Sequence, residues 1–178
     1  MALLLVAAAV LAGCTAASGV ATPNSPSPGP SAPPVSNPKD TSGFQPCALL
    51  TATQAADLGL DQTRAKAGST ADLVDCSWPS TQPPVSSVAM TIDTNPTRGG
   101  LADTYLKRND FKLFEPLLID GYPAVRAERV LSNDCTIEVG LSDTQEVRVD
   151  ANALSPTDAC ALVKRAISVM LTNLPPQR

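Results

Sequence analysis

Histidine is absent from the 178 residues. That removes the commonest general base, the commonest metal ligand and the usual pH switch together, and it weighs against an enzyme. Aromatic residues are scarce, with one Trp, two Tyr and three Phe. No Gly-x-Ser-x-Gly occurs, and the one Ser-x-x-Lys spacing, Ser36 to Lys39, falls in a Pro-rich stretch where no fixed nucleophile pair is expected. Close cysteine pairs are missing too, which leaves neither a thioredoxin-like Cys-x-x-Cys nor the paired ligands of a structural zinc site. No cofactor or metal is expected. Charge is missing from everything before Lys39, and the net charge of −4 supplies no basic stripe for nucleic acid.

What is present divides the chain into three parts. Met1 to Ala12 is an unbroken apolar run ending in Gly13-Cys14. A membrane-spanning helix needs about 20 apolar residues, so this run is short and reads as the apolar region of a signal peptide, residues 1–13. Leu11-Ala12-Gly13-Cys14 resembles the bacterial lipobox, in which small residues admit a peptidase and the cysteine thiol takes a diacylglyceryl group before cleavage ahead of it. The run departs from the pattern in having no Lys or Arg before it, which a start codon placed too far downstream would explain. The alternative is a plain secretory peptide with Cys14 as a bystander. Because each buried CH₂ contributes about 0.8 kcal/mol, two or three acyl chains on Cys14 would anchor the protein stably where one would not.

Residues 14–43 are dense in Pro, Ser, Ala and Thr. Proline spacing forbids a helix or a ladder, and the lack of charge and of large apolar groups predicts a disordered, extended tether. At about 3.1 Å per residue it would reach roughly 90 Å from the lipid. Pro-x-x-Pro spacings occur at Pro23/Pro26 and Pro30/Pro33, but no basic residue flanks them as a Pro-rich ligand would require.

The globular domain is expected over residues 44–178. Thr51-Ala52-Thr53-Gln54 is a capping-box pattern and Gly59 a helix stop. Val88, Met90 and Ile92 alternate with small or polar neighbours, as a half-buried strand requires. Leu101 to Arg108 reads as a short helix, and Phe111 to Leu118 and Ala124 to Leu131 as strands about an Asp120-Gly121 turn. Cys135, Ile137, Val139 and Leu141 alternate towards a turn at Ser142 to Gln145, beyond which Val147 and Val149 resume the pattern. The last helix opens with Ser155 and Pro156, stops at Asn173 and Pro175-Pro176, and carries an apolar stripe through Cys160, Val163, Ile167, Met170, Leu171 and Leu174. These elements predict an α+β fold: an antiparallel sheet of five or six strands with the N- and C-terminal helices packed on it.

Five cysteines in an exported chain leave one over, and Cys14 lies outside the domain, so lipidation resolves the odd count. Four cysteines allow three connectivities. Cys135 and Cys160 both sit on apolar faces directed at one core, which favours Cys135 with Cys160 and Cys47 with Cys76, each bond joining a helical region to a strand.

Pro46-Cys47-Ala48-Leu49-Leu50-Thr51, Asp75-Cys76-Ser77-Trp78, and Asp158-Ala159-Cys160 running to Leu174-Pro175 together resemble the DUF3558 family, over roughly Phe44 to Pro175. The resemblance implies an exported, actinobacterial cell-surface lipoprotein with a Pro/Ser-rich tether. It implies no activity and no catalytic or binding residues.

Other candidate chemistry is weak. Arg98-Gly99-Gly100 before a helix could offer amides and a charge to an anion, although a loop needing flexible backbone explains it better. Asp72 with Asp75, and Asp143 with Glu146, read as solvated turn charges rather than as a cation site. Trp78 shares a strand face with Cys76 and is expected in the core, whereas Tyr122, between Gly121 and Pro123, is expected to be exposed and to contact a glycan or apolar ligand. The function expected is a non-catalytic binding or sensing module on the outer face of the membrane, meeting a cell-wall component, a small molecule or an envelope protein. An envelope hydrolase and a purely structural envelope protein are the alternatives.

Overall fold

The structure, a computed structural model, describes residues 31–83, 85–93, 99–153 and 155–177. The signal run, Cys14, the first part of the Pro-rich segment and Arg98 lie outside the described residues.

Seven strands form one antiparallel sheet: Lys66–Ser69 (β1), Leu73–Pro79 (β2), Val85–Asp93 (β3), Leu113–Ile119 (β4), Tyr122–Glu128 (β5), Asp134–Gly140 (β6) and Glu146–Ala153 (β7). Their spatial order is β1-β2-β3-β7-β6-β5-β4. Two meanders thus meet where β3 runs antiparallel to β7. The sheet is wider than the five or six strands expected, because β1 was not foreseen. Lys66-Ala67-Gly68-Ser69 has no apolar alternation, and it is a mostly exposed edge strand recruited by its ladder to β2 rather than by burial.

The β6–β7 hairpin places Cys135, Ile137 and Val139 opposite Ala151, Val149 and Val147. All six are buried on one face. The Ser142 hydroxyl accepts the amides of Thr144 and Gln145 at 3.3 and 3.0 Å, closing the turn. Between β4 and β5, Asp120 and Gly121 adopt φ of 50° and 84°, the left-handed pair that a two-residue hairpin turn requires.

Among the described residues there are also three α-helices: Ala52–Asp57 (α1), Leu101–Leu106 (α2) and Pro156–Asn173 (α3). The Thr51 box is formed, its hydroxyl accepting the Gln54 amide at 3.2 Å while its own amide donates to Gln54 Oε1 at 2.9 Å. Ser155 caps α3 through the Asp158 amide, and Pro156 follows at the first helical position. From α3 the side chains of Val163, Ile167 and Met170 pack on the buried face of the sheet. At its far end Asn173 Nδ2 donates to Leu49 O at 2.7 Å and to Gln54 Oε1 at 2.8 Å, so the residue read as a stop signal also ties α3 to α1.

Trp78 is fully buried, and its indole N–H donates to Gln62 Oε1 at 2.7 Å. Gln62 in turn donates to the Cys47 carbonyl at 3.0 Å. Asp61 positions this residue by capping the short 3-10 turn Gln62–Arg64. The Thr63 hydroxyl, and after it the Arg64 guanidinium, hold the Asp61 carboxyl down from 3.8 to about 2.

The described part of the Pro-rich segment is attached to the domain. Ala32 and Val35 pack against apolar clusters of the domain. Lys39 N donates to Leu141 O at 2.8 Å, Asp40 N to Pro175 O at 2.9 Å, and Gln177 N to Pro38 O at 2.9 Å. Lys39 Nζ donates to Leu174 O at 2.9 Å, a cation at the carbonyl end of α3 where the helix dipole favours it. Residues 32–41 therefore form a strap belonging to the fold. Composition does not show this, because the strap is held by backbone bonds, by the Lys39 ammonium and by apolar contacts that all reach distant elements.

Cys47–Cys76 and Cys135–Cys160 are disulfides, each with Cα atoms 5.1 Å apart, across sequence separations of 29 and 25. Loops of this size give about 3.5 kcal/mol per bridge from chain entropy, against about 1.5–3 kcal/mol for burying one large apolar side chain. Each bridge is thus equivalent to one or two core residues. Replacing Cys135 and Cys160 together by Ala is expected to lower the unfolding free energy by about 3–4 kcal/mol in a urea titration. A loss under about 1 kcal/mol would show that the bridge adds little beyond the packing of α3.

Candidate functional site

A helix is about 10 Å across with its side chains and adjacent strands lie about 4.8 Å apart, so one helix covers two or three strands. α3 lies over β6 and β7. Towards β2, the 3-10 turn Pro46–Leu49 fills the next space, bonded there through Cys47–Cys76. Towards β4 and β5 no described helix does so, and a cleft of about 450 Å³ remains between α3 and that edge of the sheet.

One wall of the cleft is Glu115 and Leu117 of β4 with Arg126 of β5; the other is Thr157, Cys160, Ala161 and Lys164 of α3. The hairpin turn fixes the first wall. Ile119 opposite Tyr122 sets the register that brings Glu115 opposite Arg126, both on the face towards α3. Arg126 Nε is 3.3 Å from Glu128 Oε1, and the buried Glu128 carboxylate also accepts the Thr136 amide at 2.9 Å. β5 and β6 are paired only from Ala124 to Arg126. The Glu128 side chain therefore satisfies a β6 amide where the ladder has ended, and it holds Arg126 in place. Glu115 and Lys164 are both exposed, and neither makes a hydrogen bond or ion pair among the described residues. The apolar part of the lining comes from Leu117, Ala161 and Cys160. Such a lining can hold a small molecule through charges of both signs while burying an apolar part of it.

On the opposite face α2 covers β5, with Leu101 and Tyr105 clustered on Val125 and Ala127. Phe114 meets the Tyr105 ring edge-on at 5.1 Å, and the Arg129 guanidinium lies 4.8 Å from the Phe111 centroid. Thr104 donates to Glu138. A smaller hollow of about 370 Å³ at the β5–β6 end of this face includes Glu128, Asp134, Glu138 and Arg148. Burial, followed by the neighbouring carboxylates of Asp134, Glu128 and Asp75, pushes the Asp150 carboxyl up, against the pull of Arg148 at 3.8 Å.

Of the residues singled out in the sequence, Cys160 lines the cleft and Tyr122 does not. Tyr122 is 9 % exposed, not a surface aromatic, because it begins β5 on the core face and its hydroxyl donates to Asn37 O of the strap at 2.8 Å. Arg98 lies outside the described residues. The Gly99 amide donates to Asp103 Oδ2 at 3.0 Å, while Gly100, at φ 55°, lies where a Cβ would meet the Gln145 amide at 3.0 Å, so this loop is shaped by close backbone approach. Among the described residues no group of three or more Cys, Asp or Glu is placed to hold a metal.

The family model for DUF3558, described as a protein of unknown function, matches residues 9–173. The chain belongs to the DUF3558 family. No curated protein and no solved structure matches it. Of the three segments that carry the resemblance, two hold the two halves of the Cys47–Cys76 disulfide of this DUF3558 chain, and the third opens the helix that walls the cleft and holds Cys160 of the other bridge.

A raised carboxyl pKa means that the folded state binds its proton more tightly than the unfolded state does. Asp150 therefore opposes folding above its folded pKa, and this penalty fades as pH falls towards the unfolded value. Asp150→Asn is expected to raise the melting temperature at pH 7, with the gain shrinking as pH is lowered through the carboxylate range. A gain independent of pH, or a loss at pH 7, would contradict this.

Proposed function

We propose that this DUF3558 protein is a binding or sensing module displayed on the outer face of a bacterial cell membrane by lipid on Cys14. The observation that carries the binding reading is the cleft between α3 and the β4–β5 hairpin, with an apolar lining and unpaired charges of both signs. Support for the location comes from the Leu11-Ala12-Gly13-Cys14 pattern and from the two disulfides, which suit an oxidising compartment. The two bridges take up four of the five cysteines, and Cys14 is the fifth.

The strap refines the anchoring geometry. It is bound beside the C-terminal tail at the end of the sheet that carries the β6–β7 turn. The cleft lies nearer the start of α3, towards the other end. A domain tethered through residue 31 would thus present the cleft away from the attachment point.

Cys14→Ala is expected to shift the protein from the membrane fraction to the medium, and retention at wild-type levels would sink the anchor. For binding, the immobilised full chain is incubated with solubilised envelope material beside a Lys164→Glu variant of equal stability. Wild-type chain is expected to retain a reproducible component that the variant loses. Equal retention would remove the cleft from the account, and turnover of a retained component would favour a hydrolase.

A further inference from the structure

The cleft carries a more specific assignment, which rests on the binding reading just given. Four charged groups bear on it. Arg126 is paired with Glu128 through Nε, which leaves its other donors for a ligand, and Glu128 is fastened further by the Thr136 amide. This pair contributes no net charge and fixes the wall. Glu115 on β4 and Lys164 on α3 remain, one on each side, and neither has a partner among the described residues. Glu115 stands opposite Arg126 in the ladder yet makes no ion pair with it, since the Arg126 Nε is directed to Glu128.

A single anion would meet Lys164 and the remaining donors of Arg126 but would be repelled by Glu115. A single cation would meet Glu115 and be repelled by Lys164. A molecule carrying both charges satisfies both walls at once, and an apolar group between them would lie against Leu117 and Ala161. We infer that the cleft between α3 and the β4–β5 hairpin binds a small zwitterion, a free amino acid or dipeptide with an apolar side chain. Its carboxylate is taken by Lys164 and Arg126 and its ammonium by Glu115. Binding is non-covalent, and no bond is made or broken.

The probe is leucyl-alanine, titrated into the full chain in detergent and followed by calorimetry, beside its N-acetyl and C-amide derivatives. Saturable binding is expected, with each blocked derivative weakened about fivefold, the scale of one exposed ion pair. Raising the salt concentration weakens the free dipeptide in the same direction. Lys164→Glu and Glu115→Lys should each reduce binding by at least that factor. The double exchange, Glu115→Lys with Lys164→Glu, should restore it, since a zwitterion can turn round and a purely structural pair would gain nothing. Melting temperatures of the variants show whether any loss is a folding defect. Equal affinity for the N-acetyl and free dipeptides, failure of the double exchange to rescue, or no saturable binding by the wild-type chain would overturn the assignment. If the dipeptide fails while wild-type chain still retains an envelope component that Lys164→Glu loses, the zwitterion is wrong and the binding reading stands. If neither is retained, both fall.

Discussion

The seating of α3 on the sheet is the constraint from which the other features of the domain follow. Cys135–Cys160 fastens its first turns to the start of β6, while Lys39 and Asn173 hold its last turn to the strap, to the carbonyl of Leu49 and to α1. Between these ends Val163, Ile167 and Met170 bury the middle of a sheet too wide for one helix to cover. On one flank the remaining apolar surface is sealed by the turn around Cys47 and by Trp78, whose indole is satisfied by Gln62. On the other it is left as a cleft. The position of the candidate site is therefore a by-product of where the core ends.

The polar groups at that edge show how a β-sheet stops without leaving buried amides unsatisfied. β5 and β6 part after Arg126, and an orphan amide at Thr136 would cost about 1–3 kcal/mol if it remained unbonded. The Glu128 carboxylate removes that cost, and a nearly buried carboxylate in turn requires a cation, which Arg126 supplies. A structural need at the end of the ladder thus explains why a strand of otherwise small and apolar residues carries Arg126.

Much of this was legible in the sequence where the determinants are local. The capping box at Thr51, the Asp120-Gly121 turn, the alternation through Cys135, Ile137 and Val139, and the opening of α3 each depend on residues within a few positions of one another. The disulfide pairing followed because two of those patterns fix where Cys135 and Cys160 point. Features that depend on distant partners were not legible. β1 has no apolar signature, Tyr122 is buried by a strap that its neighbours do not announce, and residues 32–41 have the composition of a linker. Glu115 and Arg126 were missed although a signal was present: a two-residue turn at Asp120-Gly121 fixes which residues face each other along β4 and β5. Lys164 carried no such signal, since only the tertiary placement of α3 brings it to the same cleft.

The strap also has a mechanical consequence. Pro38 to Asp40 and Pro175 to Gln177 are bonded to one another, so the strap and the C-terminal tail close like a clasp at one end of the sheet. Tension arriving along the chain from residue 31 meets the Tyr122 hydroxyl and the Lys39 and Asp40 bonds, all at one end of the sheet. The load is taken at that end, away from Glu115, Arg126 and Lys164.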